Sequence, residues 1–378
     1  MADTRRADID WLRIGAVLLL VPFHTACVYG VWGDFYVRGT ERSLLLSALI
    51  VTGCSAWHMP LLFWLAGASA RMSIAARGAR GFLAERVRRL LIPFVFGVLV
   101  VVPPQSYLAC LARGTWSGGY LSWYPHQFFT IGPTGLSGYE GGFTPAHLWF
   151  VLFLFAYVCV SFPLLKWLAG DASARARGHL AALLENPAVF WLAPVPFMLA
   201  QLVPDIGDKN IPYFLLIFLA GFLWQADARI AAALERRRRA ALVVGLLCIT
   251  APITGWILGG HRDFWLVGKV LDISYEGFAM WCLVVALVGY GKCLADLRPA
   301  ILPHLAEAAY PFYILHQTVV VAVAYALLPF SFPPLAAFPL VTAGAGIATA
   351  LLYLGAVRPF NPVRFVFGLK PRRKRAAA

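Results

Sequence analysis

Arg13 and His24 are the first residues along this chain whose types and spacing can do chemistry. Eleven positions apart, they fall about 1100° round a helix, roughly 20° from one common face and about 16 Å apart along it. That face carries a fixed cation low down and a titratable imidazole higher up. An imidazole titrates near neutrality, so it can take a proton at pH 7 and return it. His58 in AWHMPLLFWLAGASA, His316 in AYPFYILHQTV and His147 in HLWF also sit in apolar runs, where ionisable groups are costly and tend to be functional. Three such helices can enclose a polar cavity; the bland readings are a snorkelling Arg13 and histidines satisfied in a core. No metal is expected, because there is no His-x3-His spacing and little carboxylate support. Asp272 and Glu276 are one helical turn apart, placed to orient a histidine or bind an acceptor hydroxyl, or to form a solvated helix end. Arg86 and Arg89 share a helix face at the start of LLIPF. Paired guanidiniums bind phosphates bidentately, although topology alone also supplies arginines at such a place.

The elements that must hold these residues follow from composition. The chain has 378 residues, 60% hydrophobic and 13% charged, with a mean hydropathy of +0.72. Those values exclude an ordinary soluble globule and a disordered chain. Seven scattered cysteines without a Cys-x-x-Cys pair exclude a disulfide scaffold. The abundance of Phe, Tyr and Trp suits helix ends among lipid headgroups. The fold class is therefore all-α, a polytopic transmembrane bundle. Windows of about 20 residues place ten spans at 11–31, 44–69, 90–110, 146–168, 187–204, 211–226, 240–259, 274–291, 305–328 and 335–357, with Pro194, Pro196, Pro204 and Pro212 crowding the fifth and sixth.

With the N-terminus inside, 25 Lys and Arg fall on the cytoplasmic side and 6 outside, with Arg13 held apart as intramembrane. This is the positive-inside pattern with both termini cytoplasmic, and it accounts for the net charge of +14 without a nucleic-acid partner. The first apolar run is long enough to cross and lacks an Ala-x-Ala-like site, so it reads as a retained helix rather than a signal peptide. The chain reads as one membrane-embedded domain over 1–378 with a basic cytoplasmic tail from 358 to 378. The outer stretch 111–145, rich in Gly, Tyr and Trp, suits a flexible lip over a sugar-like acceptor or a re-entrant loop. The run RRRR at 236–239 and the tail read as solvated, lipid-facing charge.

In several segments the chain resembles the integral-membrane acyltransferase-3 family. IDWLRIGAVLLLVPFHT is similar to its opening motif, carried by Arg13 and His24. HMPLLFWLAGASARMS carries Gly67 and Arg71, and FLAERVRRLLIPF carries Arg86, Arg89 and Pro93. HLWFVLFL and AAYPFYILHQ supply His147, Trp149, Tyr310, Tyr313 and His316, with Ala309 where the family commonly has Ser. The opening and HLWF segments look most like the branch that succinylates periplasmic glucans.

The resemblance implies a multi-pass enzyme of a bacterial-type inner membrane. It would move an acetyl or succinyl group from cytoplasmic acyl-CoA to a hydroxyl of an extracytoplasmic carbohydrate or glycolipid. Arg71, Arg86 and Arg89 would hold the CoA phosphates, Arg13 would steer the donor, and His24 would act as base or nucleophile. His58, His147, Trp149, Glu276, Tyr313 and His316 would bind the acceptor or orient the base. A transporter, expected to show inverted repeats, and a non-catalytic polysaccharide export partner explain the same spans.

Overall fold

The computed structural model describes residues 6–132, 135–207, 209–259 and 265–372, and of residues 252, 255–259 and 265–272 the backbone alone. Arg5, Arg262 and the tail beyond Arg372, all counted in the charge reading, lie outside the described residues, as do the side chains of Lys269 and Asp272. Among the described residues every regular element is a helix, and β-type pairing is limited to the isolated bridges Gly30–Ser43 and Gly132–Gly135.

Among the described residues, six helices are long and apolar enough to cross a membrane: Ala7–Tyr29, Leu44–Arg113, Ala146–Ala169, Ile273–Leu294, Leu302–Phe330 and Pro334–Val357. The number becomes eight when each of two bent pairs is taken as one span. The first pair, Asp171–Glu185 with Pro187–Ala200, bends by 96° where Asn186 caps Ala188 N and Pro187 opens the second helix. The second, Ile211–Trp224 with Ala228–Ala251, bends by 106° where Asp227 accepts from Arg229 N. Asn and Asp at such positions satisfy N–H groups that the new helix leaves open. Large apolar side chains such as Val160, Leu247, Ile347 and Leu351 are exposed, as a surface solvated by lipid rather than water requires.

Three helices widen by one residue just ahead of a proline. Ile92 N bonds to Val87 O before Pro93, Val102 N to Gly97 O before Pro103, and Arg358 N to Tyr353 O before Pro359. Proline brings no N–H and its ring crowds the carbonyl four residues back. A five-residue turn relieves that crowding and keeps the helix continuous.

The chain divides into two compact units. The first comprises Met1–Ala16, Ala48–Leu83 and Ala156–Leu302; the second comprises Val17–Ser47, Ala84–Phe155 and Pro303–Ala378. In the first, Ala228–Gly259 and Trp265–Gly291 form an antiparallel hairpin. Gly245 lies against Leu283, and Gly289 against Arg238. The same unit holds a closer approach between His58–Arg86 and Ile211–Trp224. A Cβ at Gly67 would meet Phe218 O at 1.9 Å, and one at Gly221 would meet Trp64 O at 2.0 Å. In the second unit Leu302–Leu327 runs along the helices that follow Arg86. Ile314 reaches Gly97, and Thr318 donates to Val101 O at 2.8 Å.

Candidate active site

His24 lies one turn before the end of the first helix, and the chain beyond that end folds back over it. Arg38 donates to the carbonyls of Gly30 and Gly33 at 2.8 and 2.5 Å, which satisfies carbonyls left open where the helix stops. Burial lowers the Arg38 pKa, and Arg42 adds to the effect. Arg113 donates to Asp34 and to Phe35 O, at 2.8 and 3.2 Å. Held in this way, the Phe35 ring stacks on His24 with centroids 5.8 Å apart and 18° between planes. The neighbouring Tyr36 donates to Ser137 O at 3.0 Å, and burial pushes its phenol well above the usual range.

His316 is fully buried on the helix Leu302–Leu327. Its ring lies 5.2 Å from that of His24 and 5.0 Å from that of His147. The Nδ1 atom of His316 sits 2.6 Å from the Tyr313 carbonyl. A carbonyl only accepts, so Nδ1 carries the hydrogen and Nε2 is the basic nitrogen of the neutral ring. His147 shows the opposite tautomer: Nε2 donates to Ile314 O at 2.9 Å, which leaves Nδ1 basic, buried and without a hydrogen-bond partner among the described residues. Tyr313 closes the group by donating to the backbone carbonyl of His147, and its ring lies 5.5 Å from that of His147. The residue before His147 is strained, since Ala146 has φ 46°, a left-handed value that residues with a Cβ rarely adopt. Thr144 holds it there by accepting from Ala146 N at 2.8 Å.

The arginine segment belongs to the same unit. Glu85 stands between the two expected phosphate ligands, 3.5 Å from Arg86 and 3.3 Å from Arg89. Arg88, inside the widened turn before Pro93, lies over the Phe365 ring and donates to Leu369 O at 3.4 Å. Gly368, at φ 69°, rests on Pro93 and Arg89. Arg364 grips both oxygens of Glu307, at 2.9 and 3.1 Å, and thereby ties the short helix Asn361–Val366 to the helix that carries His316. One turn beyond Glu307 is Tyr310, within electrostatic reach of Arg89. Its ring is parallel to that of Tyr313 at 6.4 Å, and its hydroxyl is buried with no hydrogen-bond partner among the described residues. Tyr310, Tyr313 and His316 thus form a row along one helix face, spanning about 9 Å.

The remaining expected residues divide between the units. Trp149, in the second, packs on Phe153 at 5.3 Å. In the first unit Arg13 donates to Asp10 and Ser69, at 3.3 and 2.7 Å, and His58 Nε2 bonds to Ala16 O at 2.6 Å. Arg71 lies over the Phe222 ring, and Glu276 is in electrostatic reach of Tyr213. Among the described residues no group of three or more His, Cys, Asp or Glu has the geometry to hold a metal ion. The structure therefore joins His24, His147, Tyr313 and His316, and Arg86 with Arg89. To these it adds Tyr310, which the sequence placed in the family motif without a role, and Phe35 and Glu85, which it did not single out; the signal for Glu85 was its one-turn spacing from Arg89.

The model of the acyltransferase-3 family, an acyltransferase domain, matches residues 6–355, and the chain belongs to that family. No curated protein and no solved structure matches it. The family and the apolar helices together make it a multi-pass membrane protein with an acyltransferase domain.

Proposed function

We propose that the protein is a membrane-bound O-acyltransferase that moves an acetyl or succinyl group from acyl-CoA to a hydroxyl of a carbohydrate or glycolipid acceptor. The observation that carries this reading is the contact of three imidazoles, two of them with tautomers set by backbone carbonyls. In the transfer, an imidazole nitrogen takes the proton of the acceptor hydroxyl as its oxygen attacks the thioester carbonyl. The C–S bond breaks, and the CoA sulfur leaves with a proton returned from the imidazolium. The same group serves a double displacement, in which His24 takes the acyl group first and the acceptor then removes it.

Arg86 and Arg89 hold the donor phosphates in this proposal, with Glu85 limiting their combined charge. The roles of Arg13 in steering the donor, Arg71 in adding a cation, and His58, Trp149 and Glu276 toward the acceptor rest on sequence alone. We count ten crossings in one membrane-embedded domain, with both termini cytoplasmic in a bacterial-type inner membrane. Support comes from the 25-to-6 division of Lys and Arg and from Leu44–Arg113. That run of 70 residues is broken at Gly78, and its helical length of about 105 Å suits two crossings of a core about 30 Å thick.

The test is thiol release by the purified protein with acetyl-CoA and with succinyl-CoA, against His24→Ala. Release from one donor that the variant abolishes supports the enzyme and identifies its donor. No release, together with no acyl-CoA binding, moves the reading to a transporter or an export partner.

A further inference from the structure

Beside the three histidines lies a second buried polar group that the transfer chemistry does not use. Gln105 and Ser106, on the helix Pro103–Arg113, are both fully buried. Gln317 follows His316 in the chain, and its amide donates to Gln105 Oε1 at 3.3 Å. That bond leaves the other end of the Gln105 amide: Nε2 is buried and has no partner among the described residues. The Ser106 hydroxyl is likewise buried and without a partner among the described residues. Above it, Gly138 and Gly141 have positive φ values and approach so closely that a Cβ on Gly138 would stand 3.3 Å from Ser106 Oγ. The same Cβ would collide with Thr144, which bonds to Tyr36, which in turn adjoins Phe35 and so His24.

Gln317, next to His316 in the chain, bonds to Gln105; Ser106, next to Gln105, borders Gly138, and so does Thr144, which leads on to Tyr36 and Phe35. None of the residues so linked to His316 carries a charge. Native proteins seldom leave two neighbouring buried polar groups unsatisfied, and those that remain call for a ligand or water. Amides and hydroxyls beside aromatic rings fit a polyhydroxyl compound, and the absence of charge among them disfavours an ionised one.

We infer that Gln105 Nε2 and Ser106 Oγ form the acceptor subsite, which takes an uncharged sugar hydroxyl and holds it beside the imidazoles. This rests on the acyltransferase reading, and two measurements separate the failure of one from the failure of the other. Ser106→Ala removes a hydroxyl that has no bonding partner among the described residues, and is expected to keep the fold; Gln105→Leu and Gln105→Glu remove the amide donor. With methyl glucoside as acceptor probe, each variant should raise the acceptor KM about five- to tenfold and leave thiol release to water unchanged. Methyl glucuronide should be a poor acceptor for the wild type.

Equal acceptor KM values in the wild type and a stably folded Ser106→Ala overturn the subsite, as does a parallel loss of release to water. Independently of turnover, saturation-transfer NMR should show methyl glucoside binding to the wild type without donor, and weaker binding to Ser106→Ala. Such binding without any thiol release keeps the subsite and removes the enzyme. Thiol release without binding, or binding that Ser106→Ala leaves equal, removes the subsite.

Discussion

His24 and His316, one from the first helix and one from Leu302–Leu327, face each other with ring centroids 5.2 Å apart and planes at 35°. If the two rings share one proton path, as proposed above, replacing either disturbs the other. His24→Ala and His316→Ala should each lower kcat by about a hundred- to ten-thousandfold, the range of a lost general base. The double variant should be little worse than the poorer single one, because residues acting together are not additive. Steady-state thiol release by the four proteins checks this, and losses that multiply would show two independent roles.

Glu85 sits against both Arg86 and Arg89. If the two arginines hold donor phosphates, Arg86→Ala should raise the KM for acyl-CoA about tenfold with little change in kcat. Glu85→Gln should move it the other way, since one competing charge is gone. A rise in KM for both variants would mean that Glu85 positions the arginines rather than competing for them.

Gly67 and Gly221 bring two helices so close that a methyl group on either meets a carbonyl at 1.9 or 2.0 Å. Gly67→Ala and Gly221→Ala should each cost about 3 kcal/mol, the upper end of ordinary overpacking. Gly15→Ala and Gly355→Ala, with nothing within 4 Å of the new Cβ, should be neutral or slightly stabilising. Thermal unfolding in detergent separates the two pairs.

Asp227 is held below its usual carboxylate pKa, first by the side-chain hydrogen bond from Arg229 and then also by the bond from Arg229 N. A depressed folded pKa gives stability that is present above the unfolded value near 4 and lost as pH falls through the folded value. Asp227→Asn should therefore melt below the wild type at pH 7, and the gap should close under acid conditions. A gap independent of pH would assign the effect to packing at the bend.

The sequence showed the apolar segments well, because 20-residue windows respond to composition and not to packing. Ala7–Tyr29 and Pro334–Val357 lie within a few residues of the expected spans. The segments crowded by proline are those that bend, and the direction of a bend depends on caps such as Asn186 and Asp227 that a hydropathy window does not weigh. The partners among the histidines were not legible. His58 and His316 looked alike in sequence, yet one bonds to Ala16 O and the other meets two imidazoles. Gln105 and Ser106 gave no signal at all, since a neutral polar residue in an apolar helix stands out only when its missing partner is seen.

The short helix Asn361–Val366 and the turn after it are made after the six long apolar helices described above, yet they brace Glu307, Pro93 and the backbone around Arg89. A nascent chain that has already placed Pro334–Val357 in the bilayer still lacks this brace. Translation thus acts as a timer: the arginine-bearing end is completed only after the six long apolar helices described above have left the ribosome. A ribosome that stalls after Val357 would leave an inserted protein whose arginine segment is unsupported.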